Sequence, residues 1–397
     1  MNIKLSEKNL KISPSVTLTI DARSKQMRAE GIDVISFGVG EPDFQTPDNI
    51  KRAAIEVIEK GPTGYTAASG LPELKKAICE KLQKDNGLSY HPENIIVSNG
   101  GKHALYNIFQ AICNPGDEVI IPTPYWVTYP ESVKMADATP VYIECTEENE
   151  FRLQKSDLLA AITPRTKAIV LNSPSNPTGS VYTKEELEEI AEIVVKHNIL
   201  VVSDEIYEKL VYDGEKHISI ASLNEEIKER TIVLNGMSKA YAMTGWRIGY
   251  TASNLEIAKI MGNIQSHATS NPNTIAQYAS IEALRGEQTT IEEMTKAFDE
   301  RRKYMIHRIN EIKDLSCITP KGAFYVMMNI SKWIGKEIKG YKVNNSIDFA
   351  EILLENTKVA IVPGIAFGAD NFMRLSYATS LENIQEGLNR IDDFLNK

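Results

Sequence analysis

The sequence predicts an α/β fold in which a large unit, built around a mostly parallel sheet, is joined to a smaller α+β unit. In the middle of the chain, short apolar runs alternate with helical patterns. Near residue 290 the pattern changes to one long charged helix followed by short strands and amphipathic helices. A chain of 397 residues is also longer than one ordinary hydrophobic core requires, which favours two units.

The strands of the large unit are predicted from runs that are nearly all apolar and that end at Pro, Asn, Ser or Gly. Such runs are typical of strands buried on both faces of a parallel sheet. They lie at residues 95–97, 118–121, 168–171, 199–202 and 231–234. Between the third and fourth runs, Thr183 and Glu186 have the spacing of a capping box, which predicts a helix start. Ligands of such a fold bind at the carboxyl ends of the strands.

The smaller unit is predicted to contain three helices and two strands. The helices are expected at 292–312, 346–355 and 381–395, and the strands at 323–328 and 359–362. A helix predicted at residues 17–29 is expected to pack with this unit, although it precedes the large unit in sequence.

Composition and charge exclude several classes of protein. The net charge of −9 argues against a nucleic-acid or anionic-membrane partner. The four cysteines form no C-x-x-C pair and the six histidines form no H-E-x-x-H motif, so no metal site is indicated. No apolar run reaches membrane-spanning length, and the first residues lack the apolar core of a signal peptide. We therefore expect a cytoplasmic protein.

Residues 236–249 form the most informative segment. Lys239 lies between small residues, and Arg247 follows eight positions later. A deprotonated lysine amine condenses with aldehydes to a Schiff base, and an arginine fork is well suited to a phosphate. Since most lysines are solvated surface charges, this interpretation depends on the rest of the chain.

This segment resembles the pyridoxal-phosphate (PLP) attachment segment of class I aminotransferases at every restricted position. The resemblance implies a fold-type I PLP transferase, whose large domain has a mostly parallel seven-stranded sheet between helices. It implies a large PLP-binding domain at 46–288, a small domain at 289–397, and residues 1–45 as an N-terminal arm and part of the small domain. The implied chemistry is ping-pong transamination through an internal aldimine on Lys239.

The cofactor ligands follow from motifs that match the family in order. A protonated pyridine nitrogen requires a buried carboxylate, and Asp204 ends the run 201–204, at the carboxyl end of a predicted strand. By the resemblance, Tyr207 and Asn176 contact the ring 3′-oxygen, Trp126 stacks on the ring, and Tyr65 crosses from the partner subunit of a homodimer with shared active sites. The implied phosphate ligands are Gly100, Gly101, Lys102, Ser238 and Arg247. Taken singly, these residues are equally consistent with a turn, a helix cap or a core position.

The substrate residues are also implied by the resemblance. Arg374 matches the arginine that binds the substrate α-carboxylate, as a bidentate guanidinium is suited to do. Gly40 matches the glycine that closes over the substrate, while Trp126 and Asn176 border it. Lys102, with Ser15 and Thr17, resembles the distal-carboxylate site of bacterial and archaeal aspartate aminotransferases.

Several activities stay open at this stage. Transfer of the amino group of L-aspartate to 2-oxoglutarate is the favoured reaction. The alternatives are an aminotransferase for aromatic or other amino acids, a PLP-dependent carbon–sulfur β-lyase, and a non-enzymatic PLP-binding sensor. Lys102 could also be a solvated lysine at a helix start. Ser13 stands where prephenate-transaminating members have a lysine, which argues against that activity.

Overall fold

The computed structural model describes residues 3–396. Its strands, in chain order, are β1 (Ile35–Ser36), β2 (Ile95–Ser98), β3 (Glu118–Thr123), β4 (Thr139–Glu144), β5 (Thr166–Asn172), β6 (Leu200–Asp204), β7 (Thr231–Gly236), β8 (Gly249–Ala252), β9 (Tyr325–Asn329), β10 (Glu337–Ile338), β11 (Tyr341–Lys342), β12 (Val359–Ala360), β13 (Val362–Pro363) and β14 (Phe372–Ser376).

Its α-helices are α1 (Val16–Ala29), α2 (Asp48–Lys60), α3 (Pro72–Asn86), α4 (Gly101–Ile112), α5 (Thr128–Met135), α6 (Lys155–Ala161), α7 (Lys184–His197), α8 (Glu225–Arg230), α9 (Leu255–Ala268), α10 (Thr274–Arg285), α11 (Thr289–Glu311), α12 (Ser346–Thr357) and α13 (Leu381–Asn396). The capping box predicted at Thr183 is confirmed: Thr183 accepts from Glu186 N, and the Glu186 side chain accepts from Thr183 N.

The large sheet has seven strands in the order β2-β8-β7-β6-β5-β3-β4. All neighbours from β7 to β4 are parallel, whereas β8 is antiparallel to both β7 and β2. The predicted mostly parallel sheet is therefore confirmed, and the five predicted runs lie in β2, β3, β5, β6 and β7. The sequence prediction missed β4, which is a half-exposed edge strand, and β8, which is short and carries Gly and Thr among its four residues.

Helices cover both faces of this sheet. Along β3, Val119 and Ile121 pack with α4, α5 and α9, while Ile120 packs in the opposite layer with α6 and α7. Consecutive residues of the strand are buried on opposite faces of the sheet, which explains why the predicted runs are apolar without interruption.

The smaller unit contains an antiparallel sheet in the order β13-β14-β9. The strand predicted at 359–362 is divided into β12, which pairs with β1, and β13, which pairs with β14. The strand predicted from residue 323 begins at Tyr325, since Ala323 has a left-handed φ of 58°. Ile20 and Met27 of α1 pack with Leu354 and Ala360, so the N-terminal helix joins this unit as expected. The domain boundaries given above stay predictions. No helix within the described residues is long and apolar enough to cross a membrane.

Candidate active site

A cavity of about 390 Å³ opens where β5, β6 and β7 end. This is the edge of the sheet at which ligands of parallel α/β folds bind. Helix α1, the loop 38–41, the starts of α4 and α5, strands β9 and β14, and the turn at 244–247 also contribute residues to its lining. Of the residues predicted for the site, the cavity is lined by Ser15, Thr17, Gly40, Gly101, Lys102, Trp126, Asn176, Asp204, Tyr207, Ser238, Lys239, Arg247 and Arg374.

Lys239 lies on the loop that joins β7 to β8. Its amine donates a hydrogen bond to the Gly40 carbonyl and lies 5.7 Å from the ring centres of both Tyr207 and Phe324. Burial lowers the pKa of the Lys239 amine to about 8, although the carboxylate of Glu41 opposes this shift. A lysine with such a pKa is partly deprotonated near neutral pH, which a nucleophile or a base requires.

Asp204 is the last residue of β6, and its side chain is buried. Tyr129 Oη donates to Asp204 Oδ2 at 2.7 Å, and the Ile206 amide donates to Oδ1 at 3.2 Å. Burial raises the pKa of Asp204 to about 6, while these two donors act in the opposite direction. The carboxylate is therefore fixed in one orientation inside the cavity wall.

Arg374 projects from β14 and is 2% exposed. Its guanidinium donates to Asn176 Oδ1 at 3.1 Å and to the Gly38 carbonyl at 2.9 Å, between the rings of Tyr325 and Phe367. Nε of Arg374 is buried without a hydrogen-bond partner, and no ion pair with Arg374 is found among residues 3–396. Burial lowers the pKa of this guanidinium. A buried cation without a counter-ion marks a place for an anionic ligand.

A second cationic region is formed by Arg247 beside the start of α4. Arg247 donates to the carbonyls of Thr244 and Asn99, and its own φ of 59° is left-handed. A Cβ added to Gly100 would lie 2.7 Å from Arg247 Cζ, and one added to Gly249 would lie 2.7 Å from Gly101 N. Gly100 also has a left-handed φ of 83°, and the atoms that crowd Gly249 belong to the backbone, so glycine is favoured at both positions. This arrangement puts a guanidinium next to the amides of a helix N-terminus, a typical phosphate site.

Lys102 and Trp126 lie at the rim of the cavity. Lys102 Nζ donates to Thr128 Oγ1 at 2.8 Å and is 5.0 Å from the Trp126 ring centre. Partial burial, with a smaller contribution from Arg247, lowers the pKa of Lys102. The hydroxyls of Ser15 and Thr17 are 2.9 Å apart at the start of α1. The predicted distal-carboxylate residues therefore lie around one cavity.

Two predicted cofactor ligands, Gly100 and Tyr65, do not line this cavity. Gly100 is the residue directly before α4, next to Gly101, whereas Tyr65 lies on the loop between α2 and α3, which contributes no residue to the lining. Tyr65 is 93% exposed. Such a large exposed aromatic side chain is available for contact with another molecule.

Several residues of the site were not predicted from the sequence. Tyr129 and Tyr325 have no motif of their own. Tyr129 follows Trp126 by three positions and lies in the first turn of α5, and Tyr325 Oη lies 3.0 Å from Tyr207 Oη. Asn172, the last residue of β5, was not predicted either, and its Oδ1 accepts from the Asn176 amide at 2.7 Å. Its position at the carboxyl end of a parallel strand could have indicated that Asn172 belongs to the site.

One buried group combines residue types that bind metals: Glu205, Glu208 and His217. Their oxygens already have partners. Ser203, Ser219 and His217 bind Glu205, whereas Asn86, Asn235 and Lys81 bind Glu208. Since Lys81 brings a positive charge to this group, we interpret it as a buried polar network behind Asp204.

A family model, "Aminotransferase class I and II", matches residues 32–391. The chain belongs to this family. The matched range contains both the lysine-bearing loop and the buried arginine, and the transamination predicted from the sequence is confirmed.

The chain is similar over nearly its whole length to individual members of this family. An aspartate aminotransferase of Bacillus sp. (strain YM-2) is 53% identical, covering 97% of both chains. An aspartate/prephenate aminotransferase of Cereibacter sphaeroides is 48% identical, covering 98% of both chains. The crystal structure of the aspartate aminotransferase from Rhizobium meliloti has a TM-score of 0.96 at 44% identity, covering 100% of this chain and 99% of that one.

Proposed function

We propose that this aminotransferase uses PLP and moves the amino group of L-aspartate to 2-oxoglutarate. The observation that carries the proposal is Arg374, a buried cation with no ion-pair partner among residues 3–396, which lines the same cavity as Lys239. A substrate carboxylate bound to Arg374 would present its Cα toward the amine. The names of the relatives support aspartate as the donor.

The residues present fit PLP. The amides at the start of α4, Ser238 and Arg247 would hold its phosphate, Asp204 its ring nitrogen, and Tyr207 with Asn176 its 3′-oxygen. Trp126 would cover the ring. When bound, PLP supplies an electrophilic carbon and a protonated ring that takes up the negative charge left at the substrate Cα.

The protein's own contribution is to position groups and to move one proton. Arg374 and Asn176 fix the α-carboxylate. Because its pKa is lowered, Lys239 has a larger unprotonated fraction than an exposed lysine, and the unprotonated amine can remove the proton from the substrate Cα and later return one. Burial of Asp204 and Arg374 excludes water from around these charges, so their interactions are stronger than in solvent.

The residues at the rim of the cavity would select a dicarboxylic substrate. Lys102 supplies a positive charge for the distal carboxylate, and the hydroxyls of Ser15 and Thr17 supply hydrogen bonds. Thr128 orients the Lys102 amine. An uncharged side chain such as that of alanine has no group to pair with Lys102, which favours aspartate.

We further propose a homodimer in which Tyr65 completes the phosphate site of the partner subunit. The support is its 93% exposure together with its place outside its own cavity. A cytoplasmic location stays a prediction.

A panel of amino donors tests the substrate. Purified enzyme reconstituted with PLP is supplied with aspartate, alanine, phenylalanine, cystathionine or prephenate, with an acceptor or donor as needed. We expect the highest kcat/KM with aspartate and 2-oxoglutarate, and none with prephenate because Ser13 replaces the expected lysine. Pyruvate release from cystathionine without an acceptor would instead support a β-lyase, and a preference for phenylalanine would support an aromatic aminotransferase.

A further inference from the structure

The loop that carries Tyr65 has little regular structure of its own. It runs from residue 61 to 71, between α2 and α3, and most of its side chains up to residue 67 are exposed. Its backbone makes few hydrogen bonds within the loop, among them Thr63 N to the Gly61 carbonyl and Gly70 N to the Ala67 carbonyl. Something outside the loop must therefore fix the position of Tyr65.

Helix α10 supplies that support through two buried side chains. Gln277, which is 0% exposed, donates to Thr66 Oγ1 at 3.2 Å and accepts from the Leu71 amide at 2.7 Å. Thr274 donates to the Gly64 carbonyl at 2.8 Å. These bonds attach to the residues on both sides of Tyr65 and to the end of the loop. Buried amides that satisfy backbone groups in this way fix one conformation.

A second buried glutamine, Gln265 of α9, has a different set of partners. It donates to the Ala68 carbonyl at 2.6 Å, but also to the Val97 carbonyl at 2.7 Å, and it accepts from Ser98 Oγ at 2.7 Å. Val97 and Ser98 end β2, directly before the Gly100 turn. Gln265 thus contacts the Tyr65 loop and the phosphate region of its own subunit at once.

We propose that Gln277 is a positioning residue for PLP binding in the other subunit. By holding Thr66 and Leu71, it presents Tyr65 to the partner's phosphate site. The hydrogen-bond partners of its side chain within residues 3–396, which are Thr66, Leu71 and Pro272, do not line its own cavity. The inference rests on the proposed shared-site homodimer. A substitution at Gln277 should therefore weaken PLP binding in the site of the opposite subunit. A substitution at Gln265 should weaken PLP binding in the sites of both subunits.

The first test measures PLP affinity of reconstituted apoenzyme homodimers. Gln277→Met keeps the side-chain length but removes the hydrogen bonds, and Thr274→Val removes one bond with little change of shape. We expect the dissociation constant of PLP to rise about tenfold for Gln277→Met and less for Thr274→Val. Unchanged affinity in both variants would overturn the proposal. If Gln277→Met does not fold, Thr274→Val alone carries the test.

The decisive test uses differently tagged hybrid dimers. A Gln277→Met subunit is paired with a Lys239→Ala subunit, so that the one remaining Lys239 is served by an unaltered Tyr65 loop. We expect wild-type PLP affinity at that site. Affinity as weak as in the Gln277→Met homodimer would overturn the proposal, because the defect would then lie within one subunit.

Two further hybrids separate this inference from the proposed dimer. Tyr65→Phe paired with Lys239→Ala should also recover affinity; if it does not, the shared site itself is wrong. When a Gln265→Met subunit is paired with the Lys239→Ala subunit, PLP affinity should stay weak, because the end of β2 is disturbed in the subunit that keeps Lys239. Full recovery with Gln265→Met would contradict the separate roles of the two glutamines.

Discussion

The phenol of Tyr129 donates a 2.7 Å hydrogen bond to the carboxylate of Asp204, and both groups are buried. Asp204 ends β6, and Tyr129 lies in the first turn of α5, so the bond joins a strand end to a helix start across the cavity wall. The bond stabilises the ionised carboxylate against the burial that raises its pKa to about 6.

Tyr129→Phe should therefore raise the pKa of Asp204 further. A bond to a charged group accounts for about one pKa unit or more, so the acidic limb of the pH–activity profile is expected to move up by about that amount. Activity above pH 8 should change little. A profile with an unmoved acidic limb would show that Tyr129 does not stabilise the ionised form.

The amine of Lys239 gives a second pH dependence. Since burial lowers the pKa of Lys239 to about 8, the amine is protonated below that pH and free above it, and PLP capture by apoenzyme should rise through pH 8 and then level off. Glu41 raises the pKa of Lys239, so Glu41→Gln should move the midpoint to lower pH. A stopped-flow series at fixed PLP concentration measures both, and a shift of the midpoint to higher pH in Glu41→Gln would contradict the assignment.

Lys102→Met tests the distal site. We expect KM for aspartate to rise about tenfold or more, because a charged contact is lost, with much smaller changes for alanine. Thr128→Val, which removes only the Lys102 partner, is the matched control and should have a weaker effect in the same direction. Equal changes for aspartate and alanine would remove Lys102 from substrate selection.

Neighbouring glycines allow a paired test of the phosphate region. Gly100 has a φ of +83°, and a Cβ there would lie 2.7 Å from Arg247 Cζ, whereas a Cβ on Gly101 would be 3.7 Å from Leu234. Gly100→Ala should lower the free energy of unfolding by about 1–3 kcal/mol, because a φ of 83° with a ψ of 169° is a backbone conformation that essentially only glycine adopts. PLP binding should weaken as well, since the Arg247 guanidinium must shift to make room for the Cβ. Gly101→Ala should keep its stability. Thermal unfolding and PLP titration of both variants check this; equal losses would argue against a special role of Gly100.

The residues that could be predicted from sequence are those whose position follows from local structure. Asp204 ends a buried run, and Lys239 and Arg247 lie in one short segment, so the strand pattern and a family motif place them at the same edge of the sheet. Tyr129 and Tyr325 could not be predicted, because their partners Asp204 and Tyr207 are 75 and 118 residues away and only the tertiary fold brings them together.

The same limit applies to the fold. Strands buried on both faces can be predicted because they are apolar runs in the sequence. Strand β4 is half exposed at the sheet edge and β8 contains glycine and threonine, so neither has this pattern. Both are placed by pairing with neighbouring strands rather than by their own composition.

The pairing of Gly236 with Gly249 has a consequence for the order in which the site assembles. This pair closes the short loop that carries Lys239 and Arg247. In contrast, the hydrogen-bond partners of Arg374, Asn176 and Gly38, are 198 and 336 residues away from it in the sequence. Short loops lose less chain entropy on closure than long ones. We therefore expect mild denaturant to abolish recognition of the substrate carboxylate before it releases the lysine-bearing loop, so that the enzyme would lose its substrate site while still holding its cofactor.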